Sequence, residues 1–191
     1  MARIDILLID AFADWEAAPL AAAARSDLGD TVRVMTPDGG RVTSMGGLTA
    51  VPDLAATDWR AEDADALIVV GSPVWMTPEA PDVGDLLRRA VAADLVVGAI
   101  CGATLAPARA GLLDDRAHTS NDAAFLAEQG GDYAGTALYV ETPAAVTGGR
   151  LVTAPGSAPV TFAVAVLSLL HPERAAYIQE LRTMSAREFE G

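Results

Sequence analysis

The sequence predicts an α/β protein with a mostly parallel sheet that is covered by helices on both faces. Short runs of β-branched and other apolar residues alternate along the chain with longer helical segments, which is the pattern of a parallel sheet buried on both sides. The 191 residues are 51% hydrophobic and 20% charged, which suits one folded domain, 1–191, with a sizeable core. We find no linker, internal repeat or low-complexity segment that would divide the chain.

The predicted strands are short apolar runs bounded by turn residues. β-Branched side chains and an alternating or continuous apolar pattern over about four to eight residues favour a strand over a helix. In chain order the runs are residues 4–9, 31–36, 66–70, 95–100, 137–141, 144–147 and 150–153. A β-excursion is predicted over 41–51, after the turn signal Pro37-Asp38-Gly39-Gly40, and a loop with a short helical piece over 53–65.

Helical segments fill the spaces between these strands. In chain order they are residues 15–25, 78–92, 103–113, 122–129, 159–170 and 173–184. Asp14 is placed to cap the first helix, and Ser120 or Thr119 to cap the fourth. The fifth has the length and apolarity of a buried core helix, and His171 at its end is expected to complement the helix dipole.

Charge and cysteine content exclude several classes of protein. The 13 basic and 26 acidic residues give a formal net charge of −13, which argues against nucleic acid or an anionic membrane surface as a partner. A single cysteine cannot form an intramolecular disulfide. Because the N-terminus does not resemble a signal peptide and no window reaches the roughly 18 apolar residues of a membrane span, we expect a cytoplasmic protein.

Cys101, the only cysteine, follows the strand 95–100 and is itself followed by Gly102 and an alanine-rich helical segment. This order places it at a strand-to-helix junction. Ligands of open α/β sheets bind at the carboxyl ends of the strands, where helix N–H groups point at the site. The ordinary alternative for a lone cysteine is a small buried apolar residue. The junction favours a reactive thiol instead.

Two other segments are expected at the same edge of the sheet. Glu16 follows the first strand, where it either complements the dipole of its helix or lies as a carboxylate beside Cys101. Gly71 and Ser72 follow the strand 66–70, and a glycine at that point lets the backbone approach a ligand closely.

A family resemblance is carried by the segments 99–104 (AICGAT), 110–113 (AGLL) and 118–121 (HTSN). With these segments the chain resembles the ThiJ/PfpI superfamily of class I glutamine amidotransferase-like proteins. That group includes intracellular protease-like enzymes, isocyanide hydratases, glyoxalases and deglycase-like redox chaperones. The resemblance runs over residues 4–170. It implies a flavodoxin-like three-layer α/β/α sandwich with a mostly parallel central sheet and a cysteine nucleophile elbow, and a homodimer with the cleft near the subunit interface.

The resemblance also implies roles for individual residues. Cys101 would be the nucleophile, Glu16 the carboxyl group that hydrogen-bonds it, and His118 the nearby imidazole. The oxyanion-hole donors would be backbone N–H groups. They are those of Gly71 or Ser72, and of Gly102.

The chain departs from the family pattern at two positions. Ser72 stands where many members have a second glycine, which would narrow or reorient the oxyanion hole. Thr161 stands where many members carry a glutamate before the phenylalanine of the last core helix. No clear third triad carboxylate follows His118, because Asp122 would equally point into solvent.

We therefore expect a cysteine-dependent enzyme acting on a small carbonyl, amide or related electrophile through Cys101, by hydrolase, glyoxalase/deglycase or hydratase chemistry. The alternatives are a redox-responsive stress protein that senses peroxide by oxidation of Cys101, and a non-catalytic binding module on the same fold. We expect no cofactor and no metal, because no nucleotide-binding glycine motif occurs and neither histidine has metal-ligand spacing. The expected partners are a small-molecule substrate and a second copy of the chain.

Overall fold

A seven-stranded sheet forms the centre of the molecule in the computed structural model, which describes residues 1–187. The strands are β1 (Arg3–Leu7), β2 (Thr31–Thr36), β3 (Val42–Thr43), β4 (Thr49–Ala50), β5 (Leu54–Ala55), β6 (Ala66–Val69), β7 (Val96–Ile100), β8 (Val146–Gly148) and β9 (Leu151–Ala154). The order across the sheet is β5-β2-β1-β6-β7-β9-β8, and only the β8–β9 pair is antiparallel. The separate antiparallel pair β3–β4 is the predicted β-excursion. The end of the predicted domain, residues 188–191, lies outside the described residues.

Helices cover both faces of this sheet. They are α1 (Asp14–Ala22), α2 (Gly84–Ala92), α3 (Leu105–Arg109), α4 (Ala123–Gln129), α5 (Pro159–Leu170) and α6 (Ala175–Ala186). Leu20 of α1 and Phe162 of α5 are buried in the core on one face, and Leu86 and Leu87 of α2 in the core on the other. The three-layer arrangement confirms the predicted fold class. No helix within residues 1–187 is long and apolar enough to cross a membrane.

Parallel register brings the carboxyl ends of the central strands together. Leu7 of β1 pairs with Val69 of β6, and Val69 pairs with Ala99 of β7. The loops that follow these three strands therefore meet at one edge of the sheet, as the sequence predicts for the neighbourhood of Cys101.

Two predicted helix caps are wrong. The N-cap of α1 is Ala13, without a side-chain hydrogen bond, while the Asp14 carboxylate accepts hydrogen bonds from the Ser44 hydroxyl and from the Gly46 N–H. Asp14 thus ties the β3–β4 hairpin to α1. Helix α4 is capped by Asp122, which accepts from the Phe125 N–H at 2.7 Å.

Several predicted boundaries also differ from the structure. The predicted strand 137–141 is a 3₁₀ turn over Gly135–Leu138, and only Tyr139 forms a β-bridge, to His118. Helix α2 begins at Gly84, later than predicted, where Asp82 accepts from the Gly84 N–H. A short turn can resemble a strand in an apolar pattern, because both are too short to display a period.

His171 at the end of α5 has a partner more specific than the helix dipole. Its Nε2 lies 2.7 Å from Asp30 Oδ2, and Asp30 Oδ1 accepts from the Ala2 N–H. Because the buried Asp30 carboxylate contacts both Ala2 and His171, it joins the start of β1 to the end of α5.

Candidate active site

Cys101 lies at a strained turn between β7 and α3. Its φ of +60° falls in the left-handed region that non-glycine residues rarely adopt. The chain passes from the last residue of β7 directly into a 3₁₀ turn over Cys101–Thr104, and the thiol-bearing residue is partly exposed at the edge of the sheet. Strain of this kind is concentrated at functional sites, and the predicted nucleophile elbow is present.

A buried chain of hydroxyl groups supports this turn. Thr104 Oγ1 lies 2.7 Å from the Cys101 carbonyl oxygen and 2.6 Å from Ser120 Oγ. A carbonyl oxygen can only accept, so the Thr104 hydroxyl donates its hydrogen bond to the Cys101 carbonyl oxygen. The Ser120 hydroxyl then donates to Thr104 Oγ1. Both hydroxyl-bearing residues are buried. The segment 118–121 is thereby tied to the back of the elbow.

Glu16, in the first turn of α1, is the carboxyl group nearest the thiol. It is fully buried, and its Oε2 accepts from the Gly71 N–H at 2.7 Å. Its Oε1 has no hydrogen-bond partner within residues 1–187. Burial raises the pKa of Glu16 to about 7 against the hydrogen bonds from Cys101 and Gly71, which lower it.

The thiol and the Glu16 carboxyl group are electrostatically linked. Burial raises the pKa of Cys101, and the negative charge of Glu16 raises it further, while hydrogen bonds from Asn121 and from the Gly102 N–H lower it. Two acids this close do not both ionise readily, so above about pH 7 the pair retains one proton, and the raised pKa of Cys101 keeps it mainly on the sulfur. In the minor form with the proton on Glu16, Cys101 is a thiolate beside a carboxylic O–H donor.

Two glycines allow the backbone to lie against these groups. A Cβ atom on Gly71 would lie 2.8 Å from Cys101 Cβ, and one on Gly156 would lie 2.8 Å from Cys101 Sγ and 3.1 Å from Glu16 Oε1. Such distances leave no room for a side chain, so both positions require glycine for close approach. The predicted site includes Gly71 but not Gly156.

Asn121 completes the surroundings of the sulfur, and the predicted site omits it. Its Nδ2 lies 3.5 Å from Cys101 Sγ, and its Oδ1 accepts from the Gly156 N–H at 3.0 Å. Asn121 is the last residue of the HTSN segment that carries the family resemblance, but the resemblance implies a role for His118 alone in that segment. The site assembled by the fold is therefore Cys101, Glu16, Asn121 and the two glycines.

Comparison with known proteins agrees with this geometry. The sequence model of the DJ-1/PfpI family matches residues 2–169. The chain belongs to the DJ-1/PfpI family. The match covers nearly the same residues as the ThiJ/PfpI resemblance, which is thereby confirmed.

The family includes solved structures that are close to this one. A DJ-1 superfamily protein from Agrobacterium tumefaciens, Atu0886, is 44% identical, with a TM-score of 0.92 over 99% of this chain and 100% of that chain. A thiJ/pfpI family protein from Bacillus anthracis is 32% identical, with a TM-score of 0.81 over 88% of this chain and 82% of that chain. Both share the α/β sandwich described above.

A curated relative from Bacillus subtilis carries the name uncharacterized protease YoaZ. It is 38% identical over 133 residues, which are 68% of this chain. The match spans 61% of the length of YoaZ, less than two thirds of that protein. Its name describes a protease without stating a substrate.

The DJ-1/PfpI resemblance implies an imidazole near the thiol, and the structure does not place His118 there. His118 is fully buried, with Nδ1 2.8 Å from the Arg116 carbonyl oxygen and Nε2 2.6 Å from the Tyr133 hydroxyl. Because a carbonyl only accepts, Nδ1 carries a proton and donates to Arg116, and the Tyr133 hydroxyl is the partner of Nε2. Both nitrogens are used, and the ring packs edge-on against Tyr133 and Tyr139. His118 anchors the segment that carries Asn121.

The predicted oxyanion donors divide into two groups. The Gly71 N–H is committed to Glu16, so it does not face a substrate oxygen. The N–H groups of Ser72 and Gly102 remain the candidates, and a Cβ on Gly102 would lie 3.0 Å from the Ser72 carbonyl oxygen, so the two backbones are adjacent. The Ser72 hydroxyl donates to the Asp10 carbonyl at 2.6 Å and accepts from the Val74 N–H, which keeps it within its own loop.

A third triad carboxylate is not supplied by either candidate position. Asp122 caps α4, as described above. Thr161 Oγ1 accepts from the Ala145 N–H at 2.9 Å and lies 3.3 Å from the Ala158 carbonyl, so it joins the β8 segment to α5. Within residues 1–187 no group of three or more His, Cys, Asp or Glu side chains is arranged to hold a metal ion. Glu16 is therefore the carboxyl group found beside the thiol.

Proposed function

We propose that the protein is a cysteine-dependent enzyme that acts on a small carbonyl, amide or related electrophile through Cys101. The observation that carries the proposal is the position of the sulfur, on a backbone with φ +60° and between the Glu16 carboxyl group and the Asn121 amide. A thiolate is the nucleophilic form of cysteine, and hydrogen-bond donors favour it. A structural cysteine would need none of these neighbours.

The first step is the addition of sulfur to the electrophilic carbon. The Cys101 thiolate attacks a carbonyl carbon, the S–C bond forms, and the π electron pair of the C=O bond moves to oxygen. The oxygen takes the proton that Glu16 holds, and Glu16 becomes a carboxylate. A carboxyl group with a pKa of about 7 serves both as acid and as base near neutral pH. The N–H groups of Ser72 and Gly102 are the candidate donors to the developing oxyanion.

The adduct has two productive fates. From an amide, the C=O bond reforms as the C–N bond breaks, the leaving amine takes a proton through Glu16, and water hydrolyses the thioester to a carboxylic acid and free Cys101. From an α-oxoaldehyde, the Glu16 carboxylate removes the proton on the attacked carbon and returns it to the neighbouring carbon, while the hydroxyl proton of the adduct moves to the oxygen on that neighbouring carbon. The product of that transfer is a 2-hydroxyacyl thioester, which water hydrolyses in the same way.

The crowding of the thiol supports a small substrate. The backbones of Gly71 and Gly156 lie against Cys101 so closely that a single methyl group would collide with it. An electrophile that reaches the sulfur must pass these backbones and the Asn121 amide, so its reacting carbon must be sterically open. Aldehydes and unbranched amides meet that condition better than the interior of a folded protein.

A substrate panel tests the proposal. Wild-type protein and Cys101→Ser are incubated with methylglyoxal, a small alkyl isocyanide, primary amides and short peptides, and substrate loss is followed by chromatography. We expect turnover of at least one compound by wild type, with a loss on the order of a thousandfold or more in Cys101→Ser. Equal turnover by the two proteins would contradict the proposal. Circular dichroism of the variant verifies that it is folded.

A redox role for Cys101 is the second candidate, favoured because the only cysteine of the chain is partly exposed. The thiolate would attack a peroxide oxygen, forming an S–O bond while the O–O bond breaks and hydroxide leaves. Without a second cysteine, the sulfenic acid proceeds to sulfinic acid rather than to an internal disulfide. Intact mass after mild peroxide treatment tests this role. An unchanged mass at Cys101 would exclude it.

We also propose that the protein is a homodimer, as the family resemblance implies. Trp15, Met45 and Leu48 are exposed apolar side chains, and the Asp14 contacts described above hold their two segments together near the site. Exposed apolar groups beside a functional site support association with another protein surface.

A further inference from the structure

We infer that Asn121 is a second catalytic residue, whose side-chain NH₂ group donates a hydrogen bond to the sulfur of Cys101 and is held in that orientation by Gly156. The inference deepens the proposed function and rests on it. Neither the family resemblance nor the relatives' names assign a role to this amide. The contacts that carry it are the 3.5 Å distance from Nδ2 to Sγ and the 3.0 Å hydrogen bond from the Gly156 N–H to Oδ1.

The orientation of the amide follows from its second partner. An asparagine side chain presents an acceptor oxygen on one side and a donor NH₂ on the other. The backbone N–H of Gly156 can only donate, so the atom of Asn121 that faces it must be the oxygen. The atom that faces the sulfur is then the NH₂ group. A flipped amide would place two donors against each other at Gly156, and this arrangement is excluded on energetic grounds.

Gly156 is itself held at both ends of its backbone. Its carbonyl oxygen accepts from the Trp15 indole Nε1 at 3.0 Å, and its N–H donates to Asn121. Between these two contacts its Cα lies against the thiol, where an added Cβ would lie 2.8 Å from Sγ. Trp15 is thus a positioning residue that acts on Asn121 through the Gly156 backbone.

The donated hydrogen bond opposes the other influences on the thiol. Burial and the charge of Glu16 both disfavour the thiolate, and Glu16, on α1, is the titratable group that faces the sulfur within residues 1–187. The loops after β6 and β9 bring the backbones of Gly71 and Gly156 against Cys101. Asn121 and the Gly102 N–H are the groups that favour the charged form. Removing the amide therefore leaves the nucleophile less often ionised.

The test uses a variant that keeps the shape of the side chain and reverses its hydrogen-bonding character. In Asn121→Asp one oxygen still accepts from Gly156, while the other places negative charge against the sulfur. Full-length wild type, Asn121→Asp and Asn121→Ala are alkylated with iodoacetamide between pH 5 and 10. In this reaction the thiolate forms the S–C bond and iodide leaves. The probe is independent of the natural substrate and reports the fraction of thiolate.

We expect alkylation of Asn121→Asp at pH 8 to be slower than wild type by about tenfold or more, with the midpoint of its pH profile raised by about one unit. Asn121→Ala should be slower by about three- to tenfold. Asp122→Asn is the matched control, because it changes the neighbouring residue, keeps an acceptor for the Phe125 N–H and should alkylate like wild type. Thermal unfolding of each variant verifies that it is folded.

Two results overturn the inference. If folded Asn121→Asp and Asn121→Ala both alkylate with the wild-type pH profile, Asn121 only supports the loop. If Asn121→Asp alkylates faster than wild type, the amide does not donate to the sulfur. Failure of the proposed function is distinguishable, because it appears as equal substrate turnover by wild type and Cys101→Ser, a result that leaves the alkylation profiles untouched.

Discussion

At the scale of single residues, the site depends on a carboxyl group whose pKa is raised by burial to near neutral pH. Glu16 is fully buried, takes one backbone hydrogen bond from Gly71, and has a pKa of about 7 in place of the ordinary 4.5. Its proton is available to the sulfur, or to a substrate oxygen, at the pH of most cells. A fully ionised carboxylate in the same place would oppose the thiolate, and a permanently neutral group would be unable to accept a proton.

The raised pKa of Glu16 predicts a loss of stability with rising pH. Below pH 4.5 the carboxyl group is protonated in both the folded and the unfolded chain. Between 4.5 and about 7 the unfolded chain releases the proton while the folded chain retains it, so folding becomes less favourable. Between pH 5 and pH 8, we expect this group to lower the free energy of unfolding by about 2–3 kcal/mol.

Urea denaturation of wild type and Glu16→Gln at pH 5 and pH 8 measures this loss. Glu16→Gln should not show this loss. The difference in free energy of unfolding between wild type and Glu16→Gln should therefore change by about 2–3 kcal/mol between pH 5 and pH 8. Glu79→Gln is the control, because Glu79 is exposed and its pKa is lowered by hydrogen bonding with Thr77, leaving it ionised throughout this range. Parallel pH dependence in wild type and Glu16→Gln would show that Glu16 is ionised in the folded protein.

Close packing predicts that Gly156→Ala disturbs the thiol. The new methyl group would lie 2.8 Å from Cys101 Sγ and 3.0 Å from Cys101 Cβ, so the backbone or the thiol must move. We expect a destabilisation of about 1–3 kcal/mol and slower alkylation of Cys101. Gly40→Ala is the matched control, because its methyl group would meet only the flexible Asp38 side chain, at 3.0 Å. Wild-type stability and alkylation rate in Gly156→Ala would contradict this prediction, because they would show that the loop after β9 accommodates the methyl group without cost.

At the scale of elements, the segment 118–121 connects the interior of the protein to the nucleophile. His118 is fixed through both ring nitrogens, Ser120 supports the elbow through Thr104, and Asn121 reaches the sulfur. The side chains of His118, Ser120 and Asn121 thus have different partners. The imidazole belongs to the anchored end and the amide to the reactive end.

The anchoring role of His118 predicts the behaviour of Tyr133→Phe. Removing the hydroxyl group leaves Nε2 of a buried imidazole without its hydrogen-bond partner, so we expect the free energy of unfolding to fall by about 1–2 kcal/mol. The pH profile of Cys101 alkylation should stay as in wild type, because Tyr133 contacts His118 and is not among the groups that shift the pKa of Cys101. A shifted profile in Tyr133→Phe would indicate that the imidazole takes part in the chemistry. Chemical denaturation and alkylation measure the two effects separately.

At the scale of the whole molecule, sheet order brings together residues that are far apart in the chain. Glu16 follows β1, Gly71 follows β6, Cys101 follows β7 and Gly156 follows β9, and these four strands are neighbours in the sheet. All four run in parallel, so the loops that follow them open on the same edge. The candidate site is a consequence of this order.

The proposed homodimer is a prediction at this scale. Light scattering coupled to size-exclusion chromatography should give twice the mass of one chain at micromolar concentration. The formal charge of −13 on each subunit opposes association. Because salt screens this repulsion, the dimer should have a lower dissociation constant at moderate than at very low salt. Leu48→Glu adds a charge to an exposed apolar side chain and should favour the monomer, with Glu79→Gln as a surface control. A monomeric wild type under these conditions would contradict the proposal.

The sequence by itself determined the fold class, the strand-to-helix position of Cys101 and the meeting of Glu16, Gly71 and Cys101 at one edge of the sheet. These features follow from local patterns, because buried strands are short apolar runs and the loops after parallel strands share an edge. The caps of α1 and α4 and the 3₁₀ turn at 135–138 escaped prediction, because competing polar partners and very short segments decide them.

Only the tertiary structure decided which side chains reach the sulfur. His118 and Asn121 are three positions apart in one segment, and nothing in the sequence distinguishes the one that points into the core from the one that points at Cys101. Likewise, no local pattern links Gly156 to Cys101, and the pairing of β9 with β7 is what brings its backbone to the thiol. Direction and distance of side chains are set by long-range packing, which a local pattern does not encode.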